Sequence, residues 1–257
     1  ATVIDNPGGF NWKMDVNYFR NRSAILAIGG GRTEDIGNAW FVGQPTYVYY
    51  DYKKIGIWQT KDAAEAAQYN LKPGEIRLED RNNDKVIDAK DRQIIGTPQP
   101  KWSGGTTQRF SYKGLELSVV AFARIGSTIK SDFYQNYNTL FGRYNNLNID
   151  YFTPANPTND FPRPNANQER PSNYQSLSYF DGSFFKIRNI TLAYAFSDAL
   201  VKRMLMQDFR VNVSVKQPLI LAPYRQTWKG VDPEDVNVIG IDAPATWMLQ
   251  IGVNAKF

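Results

Sequence analysis

The chain has 257 residues, enough for one large domain or two ordinary ones, and contains no cysteine and no histidine. Those two absences exclude disulfides, thiolate metal sites, Ser-His-Asp catalysis and the commonest zinc ligand. Aromatic residues reach 14% while the net charge is only +5, with acids and bases mixed along the chain, a balance that favours β structure and interfaces and argues against nucleic-acid binding.

The first expected element is a strand near 11–20. Trp12, Met14, Val16 and Tyr18 alternate there with Lys13, Asp15 and Asn17, and a strand sends successive side chains to opposite faces. A long link follows, roughly 21–103. It holds an expected hairpin in TYVYYDYKKIGIWQ and a helical turn in TKDAAEAAQY, with Thr60 or Asp62 as cap and Pro73-Gly74 as breakers. It also holds DRNNDKVIDAKD, which sets Asp80, Asn82, Asp84, Val86, Asp88 and Asp91 at the ligand spacing of an EF-hand-like loop. Calcium wants six or more oxygens, and this spacing brings side-chain oxygens and one backbone carbonyl to a single point. Lys85 stands where such a loop needs glycine, and Asp91 where it needs the longer glutamate. A polar surface turn held by Asx hydrogen bonds accounts for the same residues.

Strands near 104–112 and 115–125 come next, joined tightly through Tyr112-Lys113-Gly114, with Leu115, Leu117, Val119, Ala121, Ala123 and Ile125 on one face. The link 126–183 is rich in Asn, Tyr, Phe and Pro. Planar rings bury area cheaply and amides hydrogen-bond adaptably, so Tyr134, Tyr137, Phe141 and Tyr144 are candidate substrate contacts; packing of the loops on one another is the alternative use of such residues. A strand near 184–196 carries Ile190, Leu192, Tyr194 and Phe196 on one face, and one near 208–216 carries Phe209, Val211, Val213 and Val215. After a third long link, 217–245, the last strand covers 246–257, with Trp247, Leu249, Ile251, Val253, Ala255 and Phe257 on one side and mostly polar residues on the other.

The class is all-β. The strand lengths match the ~9–11 residues that cross a bilayer as tilted strands, while no apolar run approaches the ~18 residues of a transmembrane helix. Short turns at one end and long loops at the other form the asymmetry of an outer-membrane antiparallel β-barrel with its long loops outside the cell. A secreted β-sandwich, such as a carbohydrate-binding module with a calcium-binding loop, also alternates and stays open on pattern alone. Nothing forms a nucleophile–base pair, so the chain is not expected to be an enzyme. The remaining catalytic reading, a carboxylate-dependent glycosidase using a pair among Asp132, Asp150, Asp160 and Asp181, has no marking spacing and ranks last.

Several stretches taken together resemble one family. PGEIRLEDRNNDKVIDAKDRQIIGTPQPKWSGG is similar to the Pro-Gly-Asp-Ile, Asp/Asn-loop, Asp-Arg, Ile-Gly, Pro-x-Pro-Lys segment of SusC/RagA-type TonB-linked outer-membrane proteins. FSYKGLELSVVAFARIGSTI resembles the hairpin after it, DGSFFKIRNITLAYAF the Ser-Phe-x-(Lys/Arg) strand, WKGVDPE the late Gly-Asp-Pro-Glu loop, and the closing Lys-Phe the final strand. The blocks keep the family's order and span about residues 73–257. The acidic loop departs from the family's Asn-Gly-Asp, since Asn83-Asp84-Lys85 lacks the glycine.

The resemblance implies that residues 1–257 are the C-terminal part of a 22-stranded TonB-dependent barrel, with the plug and earlier strands outside this chain. It implies import of large nutrients, glycans or oligopeptides, across the outer membrane of a Gram-negative, Bacteroidetes-type bacterium. The implied partners are a SusD-like surface lipoprotein, the TonB complex acting through the N-terminal region, the lipid bilayer, the substrate and a higher-order complex, with no nucleic acid. No cofactor is required beyond possible calcium in loop 80–91. Trp247, Leu249, Ile251, Val253 and Phe257 are then lipid-facing, and the terminal aromatic resembles the signal read by the barrel-insertion machinery. Phe257 and Tyr194 are expected in an aromatic girdle.

Overall fold

Alternation of β-branched and aromatic residues with polar ones produces strands, and these strands pair in chain order. The computed structural model describes residues 1–131, 148–165, 167–168, 170–223, 232, 234 and 246–257. Seven strands make one antiparallel sheet: β1 (Thr2–Ile4), β2 (Asn11–Phe19), β3 (Trp102–Tyr112), β4 (Leu115–Ile125), β5 (Phe184–Ala195), β6 (Asp208–Leu221) and β7 (Met248–Lys256). Their spatial order equals their order in the chain. The short links 5–10, 113–114 and 196–207 lie at one end of this wall, the turn end, and the three long links at the other, the loop end.

The register carries the two faces from strand to strand. Trp12, Phe110, Leu117, Leu192, Val213 and Ile251 lie opposite one another in one row, and Met14, Gln108, Val119, Ile190, Val215 and Leu249 in the next. On the other face the rows are polar: Lys13, Arg109, Ser118, Thr191, Ser214 and Gln250. A one-residue slip in any pair would exchange the faces, so the pattern itself holds the register. The β3–β4 turn needs left-handed backbone at both central residues, which Lys113 (φ 47°) and Gly114 (φ 84°) adopt.

Three details differ from the sequence pattern. The strand expected to end at 216 runs on to Leu221. Gln217 (φ 54°) and Pro218 form an irregularity opposite Arg188, where the pairing steps from Asn189–Lys216 to Ile187–Leu219. Proline, which has no N–H to give, is tolerated at such a bulge. The hairpin expected in 46–59 does not form. Tyr49–Asp51 pairs with Gln93–Gly96, and Lys54–Ile57 pairs with Ile76–Leu78. Each run thereby buries its own apolar side, Val48 and Tyr49 in one and Ile57 and Trp58 in the other. The helical turn is present as α1 (Ala63–Gln68), but neither Thr60 nor Asp62 caps it through a side chain.

The core lies in the loops and not against the wall. Ile57, Ile76 and Leu78 from the first long link pack with Ile129, Phe152, Phe161 and Leu177 from the second. The apolar face of the wall is open: Leu249, Ile251 and Val253 are 53%, 67% and 60% exposed. Among the described residues no second sheet covers it, which corrects the β-sandwich alternative, because a sandwich buries that face.

Candidate functional site

The wall presents different chemistry on its two sides. On the apolar side Gln108 interrupts the rows, yet its amide is satisfied locally. Trp12 Nε1 donates to Gln108 Oε1 at 2.7 Å, and Gln108 Nε2 donates to Thr106 Oγ1 at 2.6 Å. A polar group facing hydrocarbon needs such an internal partner. Aromatic rings gather at both ends of this side. Tyr18 stacks on Trp102 at 5.9 Å at the loop end; Tyr194, Phe196 and Phe209 cluster at 4.9 and 5.1 Å at the turn end, where Phe257 also lies. The polar side carries ion pairs between neighbouring or near-neighbouring strands, Asp15 with Arg109 and Glu116 with Arg210, and a Thr191–Ser214 hydroxyl pair at 2.8 Å.

A buried charge cluster sits on the polar side near the loop end. Lys186 of β5, 2% exposed, donates to Asp232, 3% exposed, and to Glu234 Oε2 at 2.9 Å. Arg188 donates to the other Glu234 oxygen, and its guanidinium lies 4.1 Å from the Phe122 ring centroid. Glu234 N closes a turn onto Asp232 Oδ1 at 3.0 Å. Burial pushes the Glu234 carboxyl up, but the bonds from Arg188 and Lys186 outweigh it and hold the group below the ordinary carboxylate range. The motifs KIRN and DPE thus meet in space although 46 residues separate Lys186 from Asp232. The sequence marked both motifs and gave no sign that they pair.

The loop cap contains the acidic loop and two cavities. Asp80 accepts from the backbone N–H groups of Asn83 (2.7 Å) and Lys85 (3.0 Å) and from the Tyr69 hydroxyl (3.1 Å). Desolvation opposes these bonds, yet together they hold its carboxyl below the usual range. Asp84 accepts from Val86 N and Asn82 Nδ2, Asp88 from Lys90 N, and buried Asp91 from the N–H groups of Arg81 and Asp88, both at 2.9 Å. Lys85 adopts φ 65°, the conformation for which an EF-hand uses glycine. No three carboxylates among the described residues converge on a point that would hold a metal ion. One cavity of about 310 Å³ lies beside this loop, lined by Tyr69, Lys85, Arg163, Asn165 and Gln168 among others. A second, of about 300 Å³, is lined by Tyr52, Lys54, Asp160, Leu177, Tyr179 and Phe180 among others. Tyr134, Tyr137, Phe141 and Tyr144 lie outside the described residues, as does Asp132. Asp150 accepts from Asn156 Nδ2 at 2.7 Å and Asp181 from Ser183 N at 2.9 Å.

No family model matches the chain. Curated relatives do. TonB-dependent receptor P26 of Formosa agariphila is 27% identical over 198 residues, covering 72% of this chain and 20% of the relative. Receptors P3 and P39 of the same organism are 25% and 28% identical, covering 96% and 88% of the chain and 27% and 26% of their own length. Among solved structures, the RagAB peptide transporter matches all of this chain with a TM-score of 0.75 at 20% identity. The RagAB peptide importer in its 'open-open' state matches with 0.73 at 22%. The chain is similar to TonB-dependent receptors over most of its length and shares the fold of the RagAB structures. It spans between a fifth and just over a quarter of the length of the curated receptors it matches.

The fold is that of an antiparallel barrel wall, and its place is the Gram-negative outer membrane. Trp247, Leu249, Ile251, Val253 and Phe257 have 53–77% of their surface exposed. The loop cap, by contrast, buries its apolar residues like any water-facing protein.

Proposed function

We propose that the chain forms one sector of the barrel wall and outer loop cap of a TonB-dependent importer of large nutrients, glycans or oligopeptides. In this reading residues 1–257 belong to the C-terminal part of the barrel domain. A plug and further strands come from elsewhere in the protein, a SusD-like lipoprotein covers the loops, and the TonB complex acts through a region outside this chain. The role is transport and not catalysis.

One observation carries the proposal: six successive strands keep an uncovered apolar face in register with a polar, ion-paired opposite face. Backbone groups in hydrocarbon must be paired within the protein, which antiparallel strands in a continuous wall achieve. The polar side then lines a water-filled interior through which a hydrophilic solute passes, and long loops with their own core stand over its mouth. The receptor names of the relatives support the TonB-dependent part, and the peptide importer neighbours support a large solute. The test is deletion of the gene, with the full-length gene restored. Growth on the cognate nutrient should be lost and regained, and the protein should sediment with outer membranes. Recovery of the full-length protein as a soluble, detergent-independent species would overturn the reading.

A further inference from the structure

The second loop-cap cavity, about 300 Å³, holds a lysine with spare bonding capacity. Lys54 is half-buried, and its ammonium donates to the Asp160 carbonyl oxygen at 2.6 Å. An ammonium has three N–H donors, so two remain. The neighbouring Lys53 is already paired with Glu79 at 2.9 Å, whereas Lys54 makes no ion pair among the described residues. Burial pushes the Lys54 amine down to about 8, against the opposing pull of the Asp160 carboxylate. The walls beside it are Tyr52, Leu177, Tyr179 and Phe180. The Arg92 guanidinium, 5.2 Å from the Tyr52 ring centroid, adds positive potential, and the Tyr179 hydroxyl is engaged by Asp51 at 2.9 Å.

We propose that this cavity is a subsite for an anionic group, a carboxylate or sulfate, carried by the imported molecule, with Lys54 as its counter-ion and the surrounding rings as apolar walls. The inference rests on the import reading and narrows its substrate class. A staple for the Asp160 carbonyl needs one neutral donor, and a glutamine would supply it without the cost of desolvating a charge. An arriving anion takes the two unused donors and offsets that cost, which a neutral hydroxyl does less well.

The test uses the full-length receptor purified in detergent with its bound surface lipoprotein. Four probes are compared by direct binding: tetragalacturonate, its methyl ester, a penta-glutamate peptide and a penta-glutamine peptide. One acidic probe should bind about tenfold or more tighter than its neutral counterpart. Which scaffold shows the preference identifies an acidic sugar or an acidic peptide. Lys54→Gln, which keeps a donor for the Asp160 carbonyl, should abolish the preference, and Lys53→Gln should retain it; Lys54→Arg serves as the charge-conserving control. Acidic probes that bind no tighter than neutral ones, including no binding by any, overturn the inference, as does an unchanged preference in Lys54→Gln. Uptake of the cognate nutrient is measured in parallel with the gene deleted. Lost uptake without an acidic preference sinks this inference alone, and unaffected uptake sinks the import reading beneath it.

Discussion

Ile251 offers the sharpest test of the claim that lipid touches the wall. It lies five residues from Lys256, the last residue of β7. At ~3.4 Å per residue and a tilt of ~40°, it stands about 13 Å above the turn end, near the middle of a ~25 Å apolar band. Its row partners Val213 and Leu192 are apolar and partly or largely exposed on the same side, while the adjacent Gln250 faces the polar side opposite Ser214. An arginine at the bilayer midplane costs roughly 2–4 kcal/mol, falling to about 0–1 near the interface. Ile251→Arg should therefore destabilise the full-length protein by roughly 2–4 kcal/mol, Phe257→Arg by about 1 or less, and Gln250→Arg by about 0.5 or less. Guanidinium unfolding in phospholipid vesicles, followed by tryptophan fluorescence, reads all three. Equal shifts for Ile251→Arg and Gln250→Arg would refute the reasoning, because both faces would then meet the same medium.

The charge cluster predicts a second loss. Lys186→Met leaves Asp232 buried without its cation and should cost about 3–5 kcal/mol, with much of it recovered in Lys186→Met/Asp232→Leu; a double variant as unstable as the single would contradict the pairing. Because the folded Glu234 carboxyl is held below its ordinary value, its contribution is present above about pH 5 and is lost as acidification passes through the lowered value. A pH series of Glu234→Gln against the parent should therefore converge in acid and diverge at neutrality. In the acidic loop, Asp91→Ala strands two backbone N–H groups and should cost about 1–3 kcal/mol. Since the loop's carboxylates already serve as turn acceptors, melting curves in calcium and in chelator should coincide, and a calcium-dependent rise abolished by Asp80→Ala/Asp84→Ala would establish a metal site there.

What could be read from the chain depended on the range of each interaction. Alternation is local, so the long strands stand out wherever Val, Ile and aromatic residues recur in twos, as in DFRVNVSVK. β1 escapes because three residues, Thr2–Ile4, are too few to show a period. The end of β6 escapes because Gln217 and Pro218 break the alternation, although Leu219 resumes pairing beyond them. The false hairpin in 46–59 is a failure of the same local logic. Two β-rich runs around a polar centre invite pairing, but each finds its partner farther along, one at Ile76–Leu78 and the other at Gln93–Gly96. The Lys186 cluster and the Lys54 cavity depend on contacts across 46 and 106 residues, and no periodicity encodes those. Lys54 itself gave no signal beyond being one of two adjacent lysines in a loop.

The distribution of buried apolar side chains explains why one chain needs two media. Among the described residues the only apolar side chains that the wall strands bury are Ala121, Phe184 and Ala193, whereas Val48, Ile57, Trp58, Ile76, Leu78, Ile129, Phe152, Phe161 and Leu177 are all in the loops. A protein in water would reverse this, since its sheet would be the main source of hydrophobic stabilisation. Here the wall's apolar rows gain that stabilisation only from hydrocarbon, while the cap secures its own in water. The cap's core also draws on the first two long links, so it cannot close until β2, β3, β4 and β5 hold those links side by side. Wall and cap are thereby coupled: a wall in register brings the loops together, and the interlocked loops set the positions of Lys54 and Asp160, which lie 106 residues apart in the chain. A cavity assembled this way keeps its shape before anything binds in it.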